Sequence, residues 1–546
     1  MIADMILKSN TIFDSLGEAP FPGFVAVKGN RILAVGGPEE WRGYEGPGTE
    51  VWDWKNKLIM PGFHDSHTHL LLAGMYKIYP NLGSARSEEE TARLVKEYYD
   101  QNPGEGWCYG FNWYHVYWKS QTLPHRKTLD KYFPHRPVFL LNAEAHGAWV
   151  NTRALEMAGI TKDTPDPFGG EIHRDARGEA TGFLYESAIA LVAHLALDFT
   201  EAQEQVFVKK YTEEASRLGI TSVVDVQPYF GRDLGSLEAY AALEEKGELD
   251  IRITAATNLL GNLDEALENS KKYHSGKLRA HMLKQFVDGV ITTHTALLLE
   301  DYLDAPGNRG QQLFELEKIQ TAILEAHKRG LWVKIHAIGD RAIRLTLDSY
   351  EEARKKYGKN GTRHAVEHVE LIHPDDRPRF GELGLIPSVQ PEHLGLMPTW
   401  EGEEYRKNLG EERAATTWPF KTLLEHAGVL ALGSDCPVVD NNPFLALHRA
   451  VTRVHDDGLP EGGWNPTEKL TLAEALRGYT WGSAYGVGRE EELGTLEPGK
   501  LADIVVIDRN LFEVGPKEIR EARVEMTVMD GKVVYKNPGA SRKNGP

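Results

Sequence analysis

The sequence predicts an α/β fold: a (β/α)8 TIM barrel, a composite β domain assembled from both ends of the sequence, and a subdomain inserted after the first barrel strand. Three observations predict it. From about 200 to 490, helical and strand patterns alternate, and about eight apolar strands can be counted including one near residue 58. Residues 1–57 and 491–546 have a different, β-rich texture. The stretch from about 71 to 200 is too long for a single barrel helix and carries a strand-like Pro137–Asn142 and many aromatics.

Taken in order, Phe24–Val35 reads as two short strands joined at a Gly29-Asn30 turn. The expected barrel strands are Leu58–Phe63, Thr221–Gln227, Ile251–Thr257, Met282–Asp288, Val333–Ala337, His364–Val369, Ile386–Gln390 and Val429–Ser434. Helices separate them. Leu316, Ile319, Ile323 and Ala326 recur at helical spacing, Gly330 ends that helix, and a strand follows at once. The β texture returns at Ala502–Asp508, Val524–Val528 and the Asp530-Gly531 turn, so residues 1–57 and 491–546 are expected to form one sheet domain around a 58–490 barrel domain.

Composition narrows the function. The chain has 546 residues, 41% hydrophobic and 26% charged, with 62 Lys+Arg against 80 Asp+Glu and a net charge of −18 spread along its length. Nucleic acid and anionic membrane are poor partners for such a chain, and no apolar run approaches a membrane span or a signal peptide. A cytoplasmic protein acting on a small molecule is expected, with a homodimer as its assembly. Only Cys108 and Cys436 are present, so any metal must be held by His and oxygen ligands.

His67-Thr68-His69 puts two imidazoles on one face of a strand near its end, because strand side chains alternate with period two. Neutral imidazole is a common ligand for zinc and similar ions. Lys284, His336, His368 and Asp435 fall at the C-terminal ends of later strands, the end where barrel enzymes keep their active sites. Each has a bland explanation alone: a solvated lysine, a satisfied core histidine, a helix cap. Together they are improbable, since burying so many ionisable groups without a metal or mutual pairing would cost several kcal/mol.

These motifs resemble a known family. The Pro61–His69 segment, Lys284-Gln-Phe-Val-Asp-Gly, His336-Ala-Ile-Gly-Asp-Arg-Ala, Val366-Glu-His-Val-Glu, Gln390-Pro-Glu-His, Gly433-Ser-Asp-Cys-Pro-Val and Gly494–Asp503 resemble the amidohydrolase superfamily, and more closely its YtcJ-like branch, which includes N-substituted formamide deformylases. The resemblance implies a metal-dependent hydrolase with a barrel and a composite β-sandwich. It carries His67, His69, Lys284, His336, His368 and Asp435 over as ligands of one or two divalent ions, zinc first, with iron or manganese as alternatives. His64 departs from the pattern, where an aliphatic residue is usual, and its parity is opposite to that of His67 and His69. Superfamily members differ in whether the lysine bridges two metals; carboxylated on its amine, Lys284 would do so, whereas an unmodified ammonium would face cations.

A divalent ion lowers the pKa of water from about 15.7 to about 7 and polarises a carbonyl, leaving Asp435 to take the water's proton and return it to the departing amine. The expected reaction is hydrolysis of a C–N bond in an amide, formamide or cyclic amide. Trp113, Tyr114, Glu144, His146, Glu186, Gln390 and His393 resemble family segments near the barrel mouth and are the expected substrate contacts, His146 with a catalytic share. Trp107, Trp113, Tyr114, Tyr117 and Trp118 could close an apolar wall over a substrate. The rivals are a lyase or isomerase, an ester or lactone hydrolase on the same scaffold, and a non-catalytic sensor.

Overall fold

A computed structural model describes residues 1–539 except Glu144, Phe230 and Pro398, so the expected contact at Glu144 lies outside the described residues. The chain divides into two compact units, one comprising Met1–Thr68, Thr212–Val226 and the chain from Tyr240 onward, the other His69–Tyr211 and Gln227–Ala239.

The first unit holds the barrel. Eight parallel strands run in the order Phe63–Thr68, Ile220–Val226, Arg252–Asn258, Leu278–Phe286, Trp332–Ala337, Ala365–His368, Ile386–Val389 and Ala431–Leu432. A parallel bridge between Thr68 and Cys436 brings the last strand back to the first. Strands such as Ile220–Val226 are buried at every position, with the polar Thr221, Ser222 and Asp225 buried alongside Ile220, Val223, Val224 and Val226. Outside them, Leu316–Lys328 turns Ile319, Ile323 and Ala326 inward, and the next residue after its cap, Gly330, adopts φ 78° to stop it.

The opening strand corrects the expectation. The run Leu58–Phe63 is divided: Leu58–Pro61 pairs antiparallel with Ile504–Ile507, and a new strand, Phe63–Thr68, enters the barrel. Gly62 makes the switch, its N–H donating to Asp503 O at 2.9 Å, and a Cβ there would stand 2.4 Å from the Thr221 side chain. The last strand is also shorter than expected, because Asp435 turns to φ 65° and its N–H donates to His67 O at 2.7 Å instead of continuing a ladder.

In the first unit, the strands outside the barrel form one sheet of eight, contributed by both ends of the sequence. Met5, Leu7, Val25, Val27, Ile59, Ile504, Val506, Met526 and Val528, spaced two apart within their strands, converge on a single cluster with Trp52 and Trp54. The alternate residues Ile6, Phe24, Ala26 and Ala34 form a second cluster on the opposite face, so the expected β domain built from both ends of the sequence is buried on both sides of its strands. Arg252, first residue of its barrel strand, ties the barrel to this sheet through Asp503 and Asp530.

The second unit contains a five-stranded sheet in the order Gly170–Arg174, Ala180–Glu186, Gly147–Val150, Val138–Asn142 and Cys108–Trp113. It includes the Gln227–Ala239 segment, which the sequence did not signal. Trp113, Trp118, Trp149 and Phe183 form its core. Among the described residues no helix is long and apolar enough to cross a membrane.

Candidate metal centre

Side chains at the C-terminal ends of the barrel strands converge. His67 is fixed first through its backbone: its N–H donates to Asp65 Oδ1 at 3.1 Å and its carbonyl accepts from the Asp435 N–H. Asp65 also receives the Ser434 N–H at 2.9 Å and the Ser434 hydroxyl, so one buried carboxyl clamps the first strand to the last. Burial outweighs these hydrogen bonds and pushes that carboxyl up to about 6.

The ligand atoms follow. His67 Nε2 stands 3.3 Å from Asp435 Oδ1, and the His67 and His368 rings lie 5.0 Å apart. One ligand atom from each of His67, His368 and Asp435 falls within 4.8 Å of the others, all buried. His336 packs at 4.4 Å against His368, with its Nε2 3.3 Å from Gly289 O. Asp288 lies 3.8 Å from the same nitrogen and takes backbone N–H bonds from Leu297, Ile338 and Gly339; burial lifts it to about 7. His368 and Val369 both have positive φ, 73° and 49°, a cost that is highest for the β-branched valine and is typical of strand ends shaped for a site.

Lys284 is fully buried, and among the described residues its Nζ has no hydrogen-bond partner, lying 4.7 Å from the centre of the Phe286 ring. Burial pulls its pKa down to about 8, opposed by Glu367 and Asp435. Burial and the neighbouring His336 likewise hold His368 well below the usual imidazole range, so it is neutral, and among the described residues its Nδ1 has no hydrogen-bond partner. The neutral His368, whose Nδ1 has no partner among the described residues, fits a divalent cation together with the His67 imidazole and the Asp435 carboxylate.

Gln390 and His393 join this cluster from the loop after the seventh strand. Gln390 is buried, and its Oε1 has no hydrogen-bond partner among the described residues. His393 stacks on His368 at 5.5 Å, places Nδ1 3.0 Å from Glu370 Oε1 and sets Nε2 3.4 Å from Asp435 Oδ2. Burial would lower its pKa, but Asp435 and Glu370 carry it up to about 9. The Tyr405 hydroxyl donates to the other oxygen of Glu370.

The second unit holds the remaining expected residues. His69 directly follows the strand, and its ring meets that of Tyr229 at 5.2 Å. Tyr229 donates its hydroxyl to Ala145 O at 2.9 Å, and the adjacent His146 pairs Nδ1 with Glu186 Oε2 at 2.8 Å. Ala145 and Glu186 have φ of 57° and 46°, so the backbone around this pair is held in a costly conformation. Trp113 has no exposed surface; its indole donates to Leu140 O at 3.1 Å and it is enclosed by Trp118, Trp149 and Phe183. Tyr114 is half-buried against His115 and Tyr117, and Tyr117 is 51% exposed.

Sequence reasoning missed Asp65, Lys334, Glu367, Glu370 and Tyr405. Lys334 had the same signal as the histidines: a charge within an apolar strand, two residues before His336 and therefore on its face.

A model of the amidohydrolase family matches residues 50–535. Protein LONG AFTER FAR-RED 3 of Arabidopsis thaliana is 32% identical, over 98% of this chain and 92% of the relative. An N-substituted formamide deformylase of Arthrobacter pascens is 29% identical, over 94% and 95%. Among solved structures, an uncharacterised metal-dependent hydrolase of Pyrococcus horikoshii superposes with a TM-score of 0.76 at 27% identity, covering 94% of this chain and 99% of its own.

Proposed function

Because this chain belongs to the amidohydrolase family and is a metal-dependent hydrolase of carbon–nitrogen bonds, we propose that it cleaves the amide bond of a small formamide or cyclic amide with water. The observation that carries this reading is the close approach of ligand atoms from His67, His368 and Asp435 within 4.8 Å. His336, Lys284 and the adjoining His69 complete the set we assign to one or two ions, with zinc first and iron or manganese as alternatives. Such an ion supplies Lewis acidity, lowering the pKa of water from about 15.7 to about 7 and polarising the substrate carbonyl.

The chain's own groups do the rest. Asp435 accepts the proton of the attacking water and returns it to the amine nitrogen as the C–N bond breaks. His393, anchored by Glu370, holds the second oxygen of Asp435 in place. With a pKa of about 8, Lys284 keeps a useful share of free amine near neutrality, the form that adds carbon dioxide, forming an N–C bond and releasing a proton. The carbamate made in this way replaces a cation with a ligand. Gln390 and His393 are the proposed substrate contacts of the barrel unit. In the insertion unit they are Tyr114 and Glu186, with His146 as a catalytic group; Trp113 is given to that unit's core. A cytoplasmic homodimer is the proposed setting.

The test combines metal analysis with turnover of N-formyl and cyclic amides. Chelator-stripped protein should regain activity with zinc, manganese or iron. Asp435→Asn should keep at least one metal while kcat falls on the order of 10²-fold. Protein that holds no metal and gains no activity from any of these ions would rule the hydrolase out.

A further inference from the structure

Inside the barrel, one step in from the metal ligands, lies a buried pair of opposite charges. Lys334 Nζ sits 2.8 Å from Glu367 Oε1, with side chains 2% and 0% exposed. A buried ion pair is seldom more stabilising than a well-packed apolar pair of the same size, so stability alone does not account for two charges here. The other oxygen of Glu367 does. Oε2 accepts the Ser388 hydroxyl at 2.8 Å and is hydrogen-bonded to His67 Nδ1, while Ser388 is braced by Ser66 at 3.1 Å.

A carboxylate only accepts hydrogen bonds, so His67 must carry a proton on Nδ1, and the neutral ring that can bind a metal then has its lone pair on Nε2. That nitrogen is the one 3.3 Å from Asp435 Oδ1. The opposite tautomer would set a lone pair against the carboxylate and turn an N–H toward the metal ligands. We propose that Glu367 is a positioning residue that fixes the tautomer and orientation of His67 and so sets the metal affinity of the His67, His368 and Asp435 group, with Lys334 offsetting its buried charge. This rests on the metal site of the proposed hydrolase and adds to it a control of affinity by groups that touch neither metal nor substrate.

The test is zinc titration of metal-stripped full-length protein by calorimetry, alongside thermal melting without zinc. Glu367→Gln and Lys334→Met each strand a buried group and should lower the zinc-free melting temperature to a similar extent. Their zinc affinities should differ. Glu367→Gln should bind zinc roughly 10- to 100-fold more weakly, whereas Lys334→Met, which leaves Glu367 on His67, should stay within about threefold of the unaltered protein. If Glu367→Gln does not fold, Glu367→Asp keeps a charge near Lys334, draws it back from His67 and should show the same loss. Unchanged zinc affinity in the Glu367 variant, or equal losses in both variants, would overturn the proposal and leave the pair a framework element. If the unaltered protein itself binds no zinc, manganese or iron, the metal-site reading falls and takes this proposal with it.

Discussion

Replacing Arg252 by Met should separate the stability of this protein from its metal chemistry. Arg252 makes two parallel bonds to Asp503, at 2.7 and 2.9 Å, one to Asp530 at 2.9 Å and one to Gly276 O at 2.8 Å. Four bonds of a charged group, at about 1.5–3 kcal/mol each, would sum to roughly 6–12 kcal/mol if they added. They do not add, because unfolding returns the guanidinium to water. Removing one partner of a buried pair costs about 3–5 kcal/mol, and Asp503, with a side chain 5% exposed, would be left beside the N–H of Asp530 as its main remaining donor. Arg252→Met should therefore lose about 3–5 kcal/mol in urea unfolding, read by tryptophan fluorescence that includes the stacked Trp52 and Trp54 of the β domain. Arg252→Met with Asp503→Leu should recover most of that loss, since an apolar pair can replace a buried ionic one. Metal content should not change, because Arg252 opens its strand at the end opposite the ligands. A loss below about 1 kcal/mol, or no recovery in the double variant, would refute the idea that this pair joins barrel and sheet.

Two further outcomes follow from burial. His364 accepts the Val333 N–H at 3.0 Å and lies flat on Tyr350, and burial takes its pKa down to about 3. The unfolded chain protonates this group first, so its contribution to stability is whole above about pH 6.5 and fades as pH falls toward 3, about 2 kcal/mol being gone by pH 5. His364→Gln should flatten the slope of unfolding free energy against pH by about 1.4 kcal/mol per unit between pH 6 and 4, and an unchanged slope would assign the acid sensitivity elsewhere. Trp113→Ala should cost about 3–5 kcal/mol within the insertion unit, seen as faster hydrogen exchange across residues 108–186 with metal content intact. A shift in KM with unaltered exchange would instead put Trp113 against the substrate.

The barrel was legible because its buried strands, rich in apolar residues, alternate with segments of helical periodicity, and the ligands were legible because they place ionisable groups at the C-terminal ends of those strands. What was not legible had physical reasons. Leu58–Phe63 is apolar throughout, so hydrophobicity cannot show that Leu58–Pro61 serves one sheet and Phe63–Thr68 another; the Pro61-Gly62 step was the only mark of it. The Gln227–Ala239 segment joins the insertion through features as short as the two-residue pairing of Pro228–Tyr229 with Arg232–Asp233. Glu367 was hidden because it stands next to His368 in a strand and its use depends on His67, 300 residues away in sequence. Aromatic content could not say which rings face inward, and Trp113 lies in a buried core cluster.

The pairing of Leu58–Pro61 with Ile504–Ile507 has a consequence for synthesis. About 440 residues separate the two strands, so at about 5–20 residues per second the ribosome needs roughly 20–90 s to deliver the second after the first. For that interval the hydrogen-bonding edge of Leu58–Pro61 is bare, next to the strand that bears His67, and an uncovered apolar edge invites pairing with other chains. A rearranged gene that placed residues 504–536 ahead of residue 1 would let this sheet close within seconds of emerging. Its yield of soluble protein from cells, compared with that of the natural order, would measure how much this chain depends on chaperones during that wait.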